Sequence, residues 1–280
     1  MNSKLNWINP VLEKEFRLRM RSIRSPLSIF VYLVAIGLFA LGFAYINTGN
    51  QPGGALSTTK SSELFYFLSC AQLVLIAFMT PGLTAGVVSG EREKQTLNML
   101  LTTQQSSATI ILSKLLSSLS FMLLTVVASM PLYSIVFLYG GVSPWQLLYV
   151  FIFYVFVMFL LGAVGIFFST LLKKTVVSII ATYGFVLFIF GFTALAGIFF
   201  GKISSSTRNE EILGYFLSFN PMAVLLSIMM PDFTKQLFRG HTWLQMWHFF
   251  LGGYTILSVV LLWLSIRYLR PRMKQKKLNN

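Results

Sequence analysis

The residues able to do chemistry are few, and most of them stand together. In "GVVSGEREKQTLNMLLTT", Gly86 to Thr103, four charges follow one another: Glu91, Arg92, Glu93 and Lys94. They come directly after a run, Leu64 to Gly90, that contains none. Such a cluster suits ion pairing and docking, and the other reactive side chains are scattered. His241 and His248 lie seven apart with no acid between them, unlike the His-Glu-x-x-His spacing that puts two metal ligands and a base on one helix face. Beside Trp243 and Trp247 they read as members of an interfacial aromatic belt. "GIFFGKIS" around Lys202 has one residue too few between its glycines for a phosphate loop, and no Ser or Thr follows its lysine. The single cysteine, Cys70, permits no intrachain disulfide and sits in an apolar run, where packing is its role. No catalytic set, metal site or bound cofactor is expected on this chain.

The elements that must position the charged stretch are membrane spans. Of 280 residues, 55% are hydrophobic and 11% charged, with a mean hydropathy of +0.72, whereas soluble domains carry about a quarter of their residues as charges. A span needs about 20 mostly apolar residues. Six runs qualify: 27–46, 64–88, 108–139, 147–172, 175–200 and 246–269. The expectation is an all-α integral membrane protein forming one transmembrane domain over 1–280. The third run is too long for one simple crossing, so it begins outside the hydrocarbon near Lys114 or tilts strongly.

Basic residues orient the chain. With six crossings both termini share one side, which collects Lys4, Lys14, Arg17, Arg19, Arg21, Arg24, Arg92, Lys94, Lys114, Lys173, Lys174 and the six beyond Ile266. The other side holds Lys60, Lys202, Arg208, Lys235 and Arg239. The positive-inside rule therefore places both termini and the opening stretch in the cytosol of a cell-membrane protein. The net charge of +14 then marks membrane flanks rather than a basic face for nucleic acid.

A seventh apolar run, Ile212 to Met230, would carry the basic carboxyl terminus outside if it crossed. It is broken by Asn220 and Pro221, which favours a turn between two short helices. We expect a re-entrant or surface-lying element on the external side, before the sixth span. The loop Asn47 to Glu63 is rich in turn formers and reads as an external connector. Before the first span, Leu12, Phe16, Met20 and Ile23 share an arc of about 80° on a helix, with Lys14, Arg17, Arg21 and Arg24 on the adjacent side. That pattern suits a helix lying in the inner interface against membrane lipids, with Arg19 snorkelling; the plainer reading is a basic anchor.

The six spans hold no Asp, Glu, Lys or Arg apart from Lys114 and Arg267 near the ends of theirs. Ion-coupled carriers usually keep ionisable groups at mid-membrane, so uphill transport here would draw its energy from another subunit. The charged stretch itself predicts a short helix. Pro81, Gly82 and Gly86 loosen the end of the second span, Ser89-Gly90 marks a break, and Glu91 and Glu93 complement a helix amino terminus. Leu97, Leu100 and Leu101 recur at helical spacing, with Thr96 and Asn98 interleaved. Two readings stand: a solvated connector, or an amphipathic helix that binds a partner.

"SGEREKQTLNMLLTT" resembles the signature after the second span in permease subunits of type-2 ABC exporters, approximately Gly-Glu-x-Glu-x-Gly-Thr-Leu-x-x-Leu-Leu followed by Thr or Ser. Gly90, Glu91, Glu93, Thr96, Leu97, Leu100 and Leu101 fit. "NPVLEKEFRLRMRS", Asn9 to Ser22, is similar to the basic interfacial elbow helix of such permeases. Two positions depart from the pattern. Gln95 stands where Gly is common, which would hinder a close backbone approach, and Gln104 stands where Pro is common.

The resemblance implies a permease that pairs with a second permease, identical or a sister, and binds two cytosolic ABC ATPase subunits that hold ATP and Mg. The helix after the second span would couple ATP-driven closure to the spans. Leu97, Leu100 and Leu101 would seat against the ATPase. Glu91 and Glu93 would pair with basic residues, either there or at Arg17 and Arg21 of the elbow, and Arg92 belongs to the same coupling helix. The translocation path would lie between the permeases, lined by the second and fifth spans, with Thr182, Tyr183 and Thr193 polar enough to face it. Export is the direction implied. A membrane protein without ATP coupling, such as an ion-driven carrier or an anchor and assembly factor, is the competing reading. An intramembrane enzyme would need catalytic residues at depth, where only Ser, Thr and Tyr are available. The transported substrate stays open.

Overall fold

Apolar runs of spanning length form helices because hydrocarbon offers no partner for a free backbone group. A computed structural model describes residue 21 and residues 23–48, 58–97, 106–138, 140–203, 214–230 and 246–269. All regular structure among these residues is helical. Six helical stretches are long and apolar enough to cross a membrane, 25–46, 60–93, 107–134, 144–171, 175–199 and 246–269. The spans are built from α1 (Arg24–Thr48), α2 (Thr58–Thr84), α4 (Ser107–Ala128) with α5 (Met130–Leu138), α6 (Pro144–Leu171), α7 (Thr175–Leu187) running into α8 (Thr193–Ile203), and α10 (Met246–Leu269). Between them lie α3 (Ser89–Glu93) and α9 (Pro221–Met229).

Helix boundaries follow local chemistry. Ser106 caps α4 by accepting from the Thr109 amide, and Ser143 caps α6 ahead of Pro144 at its first position. The long third span is divided rather than simply tilted: it breaks at Ser129, just before Pro131, which has no N–H to continue the ladder. Lys114, eight residues into α4, is buried among the helices. The second span begins at Thr58, earlier than the apolar run that defines it in the sequence.

The fourth span, α6, is the axis of the fold. Its most apolar window is 67% buried, against 11% for the first span. It packs against α2, α4, α7, α9 and α10, and aromatic pairs such as Phe153 with Phe250 tie it to the sixth span. The fifth span contains one wide turn, Phe188–Phe192, with the i to i+5 spacing of a π-helix. Such a turn leaves carbonyls without their usual partners.

Asn220 takes up that slack. Its side-chain carbonyl caps α9 by accepting from the Met222 and Ala223 amides, while its Nδ2 donates to the Phe190 carbonyl and to Thr193 Oγ1, at 3.0 and 2.8 Å. The run Ile212 to Met230 is therefore split where the Asn-Pro pair predicts, and it is not one of the six spans. The far end of α9 is held by Gln146 at the start of α6, whose amide donates to the Met229 carbonyl. Of the elbow residues, Lys14, Phe16 and Arg17 lie outside the described residues, and Arg21 is an exposed turn residue.

Candidate coupling site after the second span

The second span ends in two serine- and threonine-rich turns that need close helix approach. Gly165 on α6 makes the approach: a Cβ there would lie 2.0 Å from Thr84 Oγ1 and 3.3 Å from the Ala85 amide nitrogen. Past Thr84 the chain leaves the α2 ladder, and neighbouring spans satisfy its freed groups. Ser169 Oγ accepts from the amides of Val88 and Ser89 at 2.9 and 3.0 Å. Ser178 Oγ on α7 donates to the Ala85 carbonyl at 2.7 Å.

The short helix α3 then sets its three charges against three different spans. Glu91 Oε1 accepts from Lys114 Nζ of α4 at 2.5 Å; the lysine is 2% exposed and the acid 25%. Arg92 donates to the carbonyls of Thr170 and Leu172, at 3.0 and 3.3 Å. Those are end carbonyls of α6, which lack helical partners and carry the negative end of the helix dipole. Glu93 does the converse for α7, accepting from the Thr175 amide at 2.9 Å and its hydroxyl at 2.7 Å. An acid at a helix start and a base at a helix end are the favourable arrangement. The other oxygen of Glu91, Oε2, is buried without a partner, as is Ser117 Oγ one turn beyond Lys114.

Gln95 ends α3 in the left-handed region, at φ 58°. Its amide donates to the Arg92 carbonyl, and Lys94's to the Gly90 carbonyl, the closure typical of a helix carboxyl terminus with a left-handed residue after it. Backbone handedness favours glycine at such a position, since a Cβ raises the energy there, so Gln95 carries a strained backbone. Thr96 Oγ1 donates back to the Glu91 carbonyl, which secures the reversal.

Leu97 points inward. It is 6% exposed and packs with Val88, Ile110, Ile111, Leu115, Ala163 and Ile166 in a core of its own beneath α3. Leu100 and Leu101 lie outside the described residues. The exposed side of the segment is instead Glu93, Lys94, Gln95 and Thr96. Sequence reasoning identified the acids but not their partners Lys114, Thr170, Leu172 and Thr175, nor Ser169 and Ser178. The available signals were the small polar residues Ser169, Thr170, Thr175 and Ser178 at both edges of the fourth-to-fifth span connection, and the lone charge Lys114 inside the third span.

The polar residues of the fifth span are engaged. Thr182 is buried and donates to the Ser178 carbonyl. Tyr183 donates to the Phe78 carbonyl of α2 at 2.8 Å, and Thr193 donates to the Ile189 carbonyl.

The bundle thus has six spans, the second ending in a charged turn braced across three others. The family model described as "ABC-2 family transporter protein" covers residues 9–270. The chain belongs to this family. No curated protein shows significant similarity to the sequence. As an ABC-2 family member with six apolar helices, the chain is a multi-pass membrane permease component of an ABC transporter. The family is a membrane transport component and not itself catalytic.

Proposed function

We propose that this ABC-2 permease is the membrane half of an ATP-driven exporter, and that Ser89–Leu97 is its coupling element to separate cytosolic ABC ATPase subunits. Both termini face the cytosol, a second permease completes the path, and ATP with Mg is bound by the partner ATPases. The observation that carries this reading is the bracing of α3: five residues hold α4, the end of α6 and the start of α7 through Glu91, Arg92 and Glu93. A push on such an element moves three spans together, while a mere connector needs no such bonds. The exposed edge Lys94 to Thr96 is the surface offered to the ATPase, because Leu97 is committed to the bundle.

Purification in mild detergent tests the class: a stoichiometric nucleotide-binding subunit is expected, and its absence overturns the reading. Coupling is tested in proteoliposomes with Arg92→Gln. ATP hydrolysis should persist while transport per ATP falls about tenfold, since roughly 1.4 kcal/mol of lost linkage corresponds to one decade. Unchanged transport per ATP would sink the role given to α3.

A further inference from the structure

Six polar side chains from four spans meet inside the bundle, away from α3. Gln72 of α2 is fully buried, and its Oε1 accepts from Tyr133 of α5 at 2.6 Å and from Ser129 at 3.3 Å. Tyr154 of α6 donates to the Ser69 carbonyl of α2 at 2.8 Å. Tyr32 of α1 lies beside Ser129 and Tyr133 without hydrogen-bond geometry to either. Each of these six residues is at least nine-tenths buried. Yet three of their polar atoms have no hydrogen-bond partner: Tyr32 Oη, Ser69 Oγ and Gln72 Nε2.

Buried polar atoms are almost always satisfied, by protein or by ordered water. Three orphans on one cluster therefore describe a missing partner, and their chemistry limits what it is. Gln72 Nε2 donates, so an occupant at that atom accepts a hydrogen bond. With the amide turned over, Oε1 would stand there and the occupant would donate; water can do either. No charged side chain belongs to the cluster, so nothing there neutralises an anion. Hydroxyls of Tyr32 and Ser69 can donate or accept, which suits a small molecule that does both. We infer that Tyr32, Ser69 and Gln72, with Ser129, Tyr133 and Tyr154, form a buried hydration site that holds water between the first four spans. Water needs a polar site with two to four partners, and this cluster supplies three.

Radiolytic hydroxyl labelling of the full chain in lipid nanodiscs, in water enriched in oxygen-18, reads the site directly. Bound water generates radicals in place, so Tyr32 and Tyr133 should take up label about threefold or more faster than Phe153 and Phe250, which sit in a purely apolar part of the core. Gln72→Leu should bring the two tyrosines to the rate of those phenylalanines. Ser69→Ala, the milder change, should lower it by about half and serves if Gln72→Leu does not fold. Tyrosine labelling no faster than Phe153 in the wild type overturns the proposal, as does wild-type labelling in a folded Gln72→Leu protein. Labelling that changes when sodium is exchanged for choline would mean a cation occupies the site, and would overturn it too.

Discussion

The two ends of the bundle solve the same problem with different chemistry. At the α3 end, a break after the second span is bridged by charges: Glu91 on a buried lysine, Arg92 on the end of α6, Glu93 on the start of α7. At the opposite end, the break between the fifth span and α9 is bridged by the neutral amide of Asn220, which caps one helix and fills the wide turn of another. Charged bonds of exposed groups weaken with salt and answer to an approaching charged partner. Neutral bonds between buried groups do neither. Under the proposed coupling role, the charged end is the one suited to receive a signal, and the neutral end the one suited to hold its shape.

The largest effect is expected where a charge is buried. Glu91→Ala removes the carboxylate that faces the buried Lys114 and should destabilise the chain by about 3 kcal/mol, read as a lower thermal midpoint in detergent. The double change Glu91→Ala with Lys114→Met should restore most of the loss; no recovery would show that the pair is not what Glu91 contributes. At the neutral end, Asn220→Ala removes a helix cap and the partner of the Phe190 carbonyl, for about 2 kcal/mol. That loss should be independent of salt, and salt sensitivity there would erase the contrast between the ends.

Backbone and packing changes follow. Gly165→Ala drives a methyl group into Thr84 and should cost about 1 to 3 kcal/mol; a midpoint equal to wild type would show that the second and fourth spans separate freely. Gln95→Gly relieves the left-handed strain and should stabilise by about 1 kcal/mol, checked by a raised midpoint with intact membrane insertion. The smallest effect is Glu93→Gln, which keeps an acceptor for Thr175 and removes only an exposed charge. Its midpoint should fall less than in any destabilised variant above, and high salt should abolish the difference from wild type.

Several of these features were legible before any coordinates. The sixth span is described over Met246–Leu269, as its apolar run predicts, because a continuous greasy stretch has one stable form in lipid. Asn220-Pro221 announced a break, and a break is there. Ser129-Pro131 carried the same signal inside the third run, but length drew attention to its ends instead. Leu97 shows a different difficulty. Helical spacing shows that Leu97 belongs to an apolar face, yet the same face fits a partner or the chain's own core. Only the neighbours Ile110 and Ala163 decide between them.

The sequence by itself determined that the chain crosses a membrane six times and that one charged turn interrupts the grease, because both follow from hydrophobicity summed over a local window. The tertiary structure alone decided what each charge does. Lys114 and Glu91 are 23 residues apart, and Glu93 and Thr175 are 82 apart. No local rule links such positions, since their meeting depends on how the spans pack. The same holds for Gln72 and Tyr133, whose polarity looks incidental along the chain and becomes a shared site only when four helices close around it.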